Sequence, residues 1–353
     1  IMEHRHWAEV GAALGYTFSR VADLNEGGVP TGRERGDLLR FMHQLSRARC
    51  VSLEQQIRDS REEVTPQELR RFCDTLDAYK RDTGQMDFTD LLERYVNGGR
   101  PCQVDVAVVD EAQDLSRVQW KLIRRAFSSV QRMYVGGDDD QAIFRWAGAD
   151  VETFLSLEGE REILGQTHRL PVAIYDYSQS VVSRLSQRFE KRATPRNERG
   201  EVLRINSWEH APVEAGGNWM FLARNSFYLA DIKEWLHSAG LPYATAGGSS
   251  IDAMHLRAII AWERLRKGEA LDASTVRDVY HWMPVARGHK LLPEVADDTL
   301  LTLAQLRELH GCLTEAPWHD ALSKIPIEQR TYYRAIKRRG EPLARAPRIY
   351  VGT

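Results

Sequence analysis

The feature that most constrains the fold is an apolar run that ends in two adjacent carboxylates. Residues 104–109 read VDVAVV, and Asp110 and Glu111 follow directly. Such a run predicts a buried strand, and open α/β sheets bind ligands at the carboxyl ends of their strands. Adjacent acids repel each other unless a cation lies between them, and a divalent metal that bridges nucleotide phosphates is the usual one. The residues therefore predict a site that hydrolyses a nucleoside triphosphate, with Asp110 on Mg²⁺ and Glu111 polarising the attacking water.

Length and composition restrict the class of protein. The chain has 353 residues, enough for two or three domains. It carries 48 basic and 50 acidic side chains, so it has no overall positive charge that would attract nucleic acid. A nucleic acid would therefore have to bind in a local groove. The four cysteines form no CxxC pair, no secretion signal is present, and no apolar run reaches the roughly 18 residues of a membrane span. These features predict reduced thiols in a cytoplasmic protein that contacts no membrane.

The pattern of apolar residues changes twice along the chain. Up to about residue 84 it is helical, with a helix that opens at Thr65 and Pro66 and carries Leu69, Phe72 and Leu76 at helical spacing. An alternation of strands and helices follows, and after about residue 250 the pattern is helical again. Strands are predicted at 104–109, 132–136, 162–164, 201–205 and 219–223, and helices at 119–127, 172–188 and 226–238. The alternation predicts a mostly parallel sheet with crossover helices.

A second strand tip and a later arginine carry further candidates. After residues 132–136, Gln141 offers a neutral amide that can hydrogen-bond a phosphate oxygen. Phe144 and Trp146 can stack on bases of a single strand, although core packing is the alternative for a tryptophan. Arg169 follows a short predicted strand and opens a helix, where it can reach a phosphate as an arginine finger. Taken alone, Arg169 is better explained as a surface arginine.

Together these segments resemble the UvrD/Rep-type superfamily 1 DNA helicases. Residues 108–114 (VVDEAQD), 137–149 (GDDDQAIFRWAGA) and 167–169 are similar to motifs II, III and IV of that family. Residues 86–92 (MDFTDLL) resemble the segment upstream of motif II, and residues 221–225 (FLARN) resemble motif IVa. The order and spacing match over roughly residues 84–250.

The resemblance implies a role in ATP hydrolysis for each matched position. Asp110 and Glu111 would serve Mg²⁺ binding and water activation, Gln141 would sense the γ-phosphate of ATP, and Arg169 would be the arginine finger. His168 lies where the family usually has a tyrosine that stacks on adenine, so it is the expected adenine contact.

The resemblance also implies contacts with DNA. Trp146 would stack on a base of single-stranded DNA with Phe144 nearby, and Arg224 in the segment similar to motif IVa would contact the strand. Ala147 replaces an arginine that the family often carries, which puts one polar contact of motif III in doubt.

The implied fold is α/β, with two incomplete RecA-like P-loop NTPase domains and helical insertions. The expected domains are a 1B-like helical insertion at 1–83, part of domain 1A at 84–158, part of domain 2A at 159–250, a short 2B-like helical insertion at 251–346, and a returning 2A strand at 347–353. The chain contains no Gly-Lys dipeptide and therefore no phosphate-binding loop of the Gly-x-x-x-x-Gly-Lys type. We expect it to be an internal fragment that is inactive alone.

Two functional hypotheses follow. The first is an ATP-dependent helicase or translocase that moves 3′ to 5′ on single-stranded DNA and acts at single-strand/duplex junctions, in a bacterial or phage-infected cell. The second is a helicase-derived binding or scaffold module that has lost ATPase activity. The intact pair Asp110 and Glu111, together with Gln141 and Arg169, favours the first, because a structural descendant gains nothing from a repulsive acid pair. The resemblance does not distinguish repair from replication.

Overall fold

Short strands separate helical stretches along residues 1–19, 34–288, 292 and 295–353, which the computed structural model describes. Contacts divide the chain into a first unit, Ile1–Val202, and a second unit, Leu203–Thr353. The first unit contains α1 His4–Leu14, α2 Arg35–Arg49, α3 Leu53–Asp59, α4 Pro66–Thr83, α5 Phe88–Gly98, β1 Val106–Val109, α6 Arg117–Ala126, β2 Arg132–Val135, α7 Val151–Leu155, β3 Gln166–Pro171, α8 Val172–Val182 and β4 Thr194–Arg196. The second unit contains β5 Trp219–Leu222, α9 Leu229–Ser238, β6 Tyr243–Thr245, β7 Gly248–Ser249, α10 Ala253–Arg266, β8 Leu271–Asp272, α11 Ala273–Trp282, β9 Leu300–Leu301, α12 Leu303–Leu309, α13 Trp318–Ala321, α14 Ile327–Arg338 and β10 Ile349–Gly352.

This is a mixed α/β architecture with small parallel sheets, as the alternating pattern predicts. The division between Val202 and Leu203 differs from the boundaries expected from sequence after residues 83, 158, 250 and 346. Those finer domains, and their assignment to two RecA-like folds, stay predictions.

The helix predicted to open at Thr65 is confirmed as α4. The Thr65 hydroxyl accepts a hydrogen bond from the Glu68 backbone N–H at 3.2 Å, and Pro66 occupies the first turn. Leu69, Phe72 and Leu76 are fully buried, because their spacing places them on one face of the helix. They form the core of the helical part of the first unit.

A buried charged cluster ties α2 and α4 to the start of α5. Arg47 of α2 contacts Asp87 at 3.0 Å, Asp90 at 2.5 Å and Glu93 at 2.6 Å. Lys80 of α4 contacts Asp87 and Asp90 at 2.7 Å each. Asp87 also caps α5, so the segment that resembles the one upstream of motif II is fixed by ion pairs as well as by its helix cap.

Strands β1 and β2 form a parallel pair that positions the acid loop. Ala107 and Val109 are buried, and Val109 packs with Trp120 and Ile123 of α6 and with Phe154. The prediction of a fully buried strand was wrong, because Val106 is 50% exposed and Val108 is 73% exposed. Only one face of this two-stranded sheet is covered, whereas the sequence pattern is that of a strand covered on both faces.

The structure describes residues 162–164 and 201–205, and neither of these predicted strands forms there. The chain instead forms β3 at Gln166–Pro171, which pairs in parallel with β4 at Thr194–Arg196. The helix predicted to reach residue 188 ends at Val182, because the residues that follow leave the helix to contact the loop after β2. The helix predicted at 119–127 begins two residues earlier, since Ser116 and Gln119 form a capping box.

The second unit has its own sheet, in the order β5-β10-β6-β7. Strand β10 lies between β5 and β6 and runs parallel to both, and α9 covers one face through Ile232 and Leu236. Helices α10 to α14 enclose a separate core around Trp262, Tyr280 and Tyr333. Among the described residues, the helices include none with the length and apolarity needed to traverse a lipid bilayer.

Candidate nucleotide and DNA site

Asp110 and Glu111 lie directly after β1, at the carboxyl end of the strand. Both side chains are exposed, and the Glu111 backbone N–H donates to Asp110 Oδ1 at 2.9 Å. Glu111 adopts the left-handed conformation, with φ of 50°. That conformation costs a non-glycine residue about 1–2 kcal/mol, and such strain concentrates at functional sites. The strand tip thus presents two carboxylates on a strained turn.

Gln113 connects this turn to the loop after β2. Its Nε2 donates to Glu111 Oε2 at 2.7 Å, while its Oε1 accepts from the Asp138 backbone N–H at 2.9 Å. Gln113 is only 1% exposed, so its two bonds are fixed from a buried side chain. Sequence reasoning gave Gln113 no role, although a glutamine between acids in an otherwise apolar segment is a signal that could have identified it.

Asp114 completes the acid-rich turn. Its Oδ2 lies 3.4 Å from Gln113 Nε2, and its Oδ1 is buried without a hydrogen-bond partner. Burial raises the pKa of Asp114, and the neighbouring Glu111 charge raises it further. Negative charge is therefore concentrated at this turn, which suits the binding of a cation.

Gln141 is held by the same loop. The loop after β2 turns through a short 3-10 helix, Asp139–Gln141, and the Gln141 Nε2 donates to Asp138 Oδ2 at 2.5 Å. Asp138 Oδ1 accepts from the Asp140 backbone N–H at 3.2 Å. Because Asp138 also bonds to Gln113, the loop that carries Gln141 is joined to the loop that carries Glu111.

Three successive acids, Asp138 to Asp140, are paired with two cations that follow α8. Arg188 makes a bidentate contact with Asp140 at 2.8 and 2.7 Å. Lys191 contacts Asp138 at 3.0 Å, Asp139 at short range and Asp140 at 3.2 Å. Burial by itself would raise the pKa of Asp138, but the bonds to Gln141 and Lys191 outweigh it and lower that pKa. Sequence reasoning missed these cations; the basic run at 188–192 facing an acidic triplet was the available signal.

A cleft of about 760 Å³ opens beside the acid-rich turn, within the first unit. Asp110, Glu111 and Asp114 line it together with Phe144, and helices α1, α2, α5 and α6 supply much of the remaining wall. Arg40 lines the helical side, with its guanidinium 4.1 Å from the centre of the Trp7 ring. The cleft therefore joins the two acids to one of the two aromatic candidates.

The other aromatic candidate, His168 and Arg169 do not line this cleft. Trp146 is 48% exposed and does not line the cleft. His168 and Arg169 are exposed within β3, so the expectation that Arg169 opens a helix was wrong. Arg169 belongs to the first unit, like Asp110, and its assignment to a separate RecA-like domain stays a prediction. Arg224 is exposed just after β5, in the second unit.

The chemistry of the acid pair fits Mg²⁺, which prefers carboxylate oxygens and keeps several of its waters. Asp110 and Glu111 offer exposed oxygens, whereas Asp138 to Asp140 are already paired with cations. In the described part of the chain, no three His, Cys, Asp or Glu side chains are grouped as a metal cage. The pair therefore suits an ion that is also held by phosphates and water rather than by the protein alone.

Comparison with known proteins identifies the relatives of this chain. Residues 33–162 match the model of the UvrD/REP helicase N-terminal domain. The ATP-dependent DNA helicase PcrA of Bacillus subtilis is 29% identical over 48% of this chain and 26% of its own length. The RecBCD enzyme subunit RecB of Mycolicibacterium smegmatis is 33% identical over 30% of this chain and 11% of its own length.

A third relative is the ATP-dependent DNA helicase Rep of Buchnera aphidicola, which is 27% identical over 41% of this chain and 24% of its own length. The chain thus spans at most about a quarter of these relatives. The resemblance to UvrD/Rep-type superfamily 1 helicases is confirmed.

Proposed function

Since this chain is a relative of the UvrD/Rep-type superfamily 1 helicases, we propose that it is part of an ATP-dependent motor. The motor moves 3′ to 5′ on single-stranded DNA and unwinds duplex at single-strand/duplex junctions in the cytoplasm. The observation that carries the proposal is the buried Gln113, which joins Glu111 to the loop of Gln141. The base that activates water and the residue that senses the phosphate must keep a fixed distance and orientation to each other, and this hydrogen-bonded bridge holds them so.

Glu111 is the general base in this proposal. Gln113 fixes its Oε2, and its exposed carboxylate faces the cleft, where it can take the proton of an attacking water. Asp110 and Glu111 would hold Mg²⁺, which neutralises charge on the phosphate oxygens of ATP when bound. The left-handed backbone of Glu111 keeps the two acids at the strand tip although they repel each other.

Gln141 and Arg169 act on the γ-phosphate. The Gln141 amide nitrogen is held by Asp138, while its carbonyl oxygen accepts no hydrogen bond from the residues that the structure describes. That oxygen can therefore accept a hydrogen bond from a water bound to the phosphate. Arg169 is exposed on β3, and no hydrogen bond or ion pair holds its guanidinium among the described residues, which leaves it available to an anion. His168 beside it would stack on adenine.

DNA is bound by stacking in this proposal. Trp146 presents nearly half of its surface to solvent, so its ring is accessible to a base. Base stacking on tryptophan tolerates any sequence, as translocation along DNA requires. Phe144 in the cleft and Arg224 after β5 would supply a second stacking surface and a phosphate contact.

The test is a matched pair of substitutions in a longer protein that supplies a phosphate-binding loop upstream of residue 1. Glu111→Gln should abolish ATP hydrolysis while sparing binding of a fluorescent ATP analogue, because the amide keeps the shape of the side chain and loses the base. Glu158→Gln changes an exposed glutamate outside the cleft and should leave both unchanged. Retained hydrolysis in Glu111→Gln would remove that residue from the role of base.

The chain alone should not turn over ATP, because it contains no Gly-Lys sequence to cradle the β- and γ-phosphates. The alternative function is a helicase-derived DNA-binding or scaffold module without ATPase activity. Robust ATP turnover by the isolated chain would contradict the expected inactivity. DNA binding without hydrolysis in the longer protein would favour the scaffold.

A further inference from the structure

We propose that Lys191 and Arg188 are positioning residues that hold the Gln141 amide in place. This inference rests on the proposed function in one respect: the proposed function gives Gln141 a nucleotide to sense. Neither cation touches the acid pair at the tip of β1; both act through the acids of the loop after β2.

The contacts form a continuous chain. Lys191 Nζ lies 3.0 Å from Asp138 Oδ1, and Asp138 Oδ2 accepts from Gln141 Nε2 at 2.5 Å. The same ammonium pairs with Asp139, whose other oxygen accepts from the Phe189 backbone N–H at 2.8 Å. Arg188 holds Asp140 with two parallel hydrogen bonds. Every acid of the triplet is thus engaged by residues 188–191.

Charge explains why the cations are needed. The Asp139 side chain is only 2% exposed, and a buried carboxylate is strongly unfavourable without a countercharge. Three consecutive carboxylates also repel one another, so without Lys191 the most exposed of them, Asp138, would turn towards water. That movement would release the Gln141 amide. Burial lowers the pKa of Lys191, but its bonds to Asp139 and Asp138 outweigh burial and raise the pKa, so the lysine stays charged.

The same cations tie the loop to the strand that carries Arg169. Lys191 lies three residues before β4, and Thr194 of β4 pairs with Gln166 of β3. Phe189, between the two cations, packs edge to face on Phe154 with ring centres 6.1 Å apart. Gln141 and the strand that carries Arg169 are therefore joined through one short segment. Loosening that segment would change the positions of both residues.

The experiment measures the Gln141 side chain directly, with no nucleotide present. In the ¹⁵N-labelled chain, the side-chain amide signal of Gln141 is identified by its loss in Gln141→Ala. Lys191→Ala should move that signal towards the position of a glutamine amide that is hydrogen-bonded only to water. Hydrogen exchange at the Gln141 and Ala142 amides should become about tenfold faster, as expected when charge-assisted bonds are lost.

Lys191→Arg should restore the signal and the slow exchange, because it keeps the positive charge. Arg192→Ala is the matched control, since Arg192 is exposed and makes no ion pair among the described residues. Near-ultraviolet circular dichroism shows whether Lys191→Ala folds. If it does not, the Gln141 signal and the hydrogen exchange are measured in Arg188→Ala, which removes the partner of Asp140.

An unchanged Gln141 signal in folded Lys191→Ala and Arg188→Ala would overturn the proposal, and so would an equal change in Arg192→Ala. These outcomes are independent of the ATP hydrolysis test on Glu111. Failure of the positioning role and failure of the proposed function can therefore be told apart.

Discussion

The buried Gln113 amide donates to Glu111 Oε2 at 2.7 Å and thereby fixes one oxygen of a carboxylate whose backbone is left-handed. Its other end accepts from the Asp138 backbone N–H, so a single side chain joins the tips of β1 and β2. The two strand tips in the first unit are consequently one hydrogen-bonded assembly rather than two loops that happen to be adjacent.

Removing this bridge should destabilise the first unit. Gln113→Ala leaves the Asp138 N–H without its partner and opens a cavity, so the free energy of unfolding should fall by about 1–3 kcal/mol. Urea denaturation followed by circular dichroism measures the change. Gln131→Ala, at an exposed glutamine whose side chain makes no hydrogen bond among the described residues, should change stability by less than about 0.5 kcal/mol. Equal effects of the two substitutions would argue against a structural bridge.

Two neighbouring glycines offer a steric test of the same assembly. A methyl group on Gly137 would lie 2.7 Å from Gln113 Oε1 and 2.9 Å from Phe154, whereas one on Gly136 would meet its nearest atom, Asp110 Oδ1, at 3.6 Å. Gly137→Ala should therefore cost about 1–3 kcal/mol of unfolding free energy through overpacking, and Gly136→Ala should cost much less. Thermal unfolding of both variants gives the comparison. A more stable Gly137→Ala would show that this contact is looser than the structure indicates.

Stability should depend on pH through His43. Burial, together with the nearby positive charges of Arg47 and Lys80, lowers the pKa of His43 to about 4. Because the folded pKa lies below the unfolded value near 6.5, stability is complete above pH 6.5 and decreases as pH falls towards 4, by roughly 3 kcal/mol. His43→Leu should remove this part of the pH dependence in urea denaturation at several pH values. His4→Leu, at an exposed histidine, should keep it, and an unchanged slope in His43→Leu would contradict the assignment.

DNA binding should depend on Trp146. If the proposed function is right, Trp146→Ala should weaken binding of a fluorescent oligo-dT by about tenfold, the effect expected for loss of one base–aromatic stack. Fluorescence anisotropy measures the affinity at a fixed salt concentration. Trp208→Ala, at a tryptophan that is 36% exposed outside the motifs, is the control. Equal affinities for wild type and Trp146→Ala would exclude this residue as a stacking platform.

Local patterns in the sequence predicted the elements that depend on interactions between residues close together in the chain. The cap at Thr65 and the helical spacing of Leu69, Phe72 and Leu76 predicted α4. The apolar run before Asp110 predicted β1, and its motif identified the family. These features depend on residues a few positions apart, so the chain itself displays them.

Contacts between distant residues could not be read in the same way. The exposed face of β1 depends on what covers a sheet, and the place of Arg169 within β3 depends on its pairing with β4, about 28 residues away in sequence. The pairing of Lys191 with Asp139 spans 52 positions. Sequence determined the acid pair and the family to which it points. Only the tertiary structure decided which charges neutralise one another, because ion pairing is set by distance in space and by burial, which spacing along the chain does not specify.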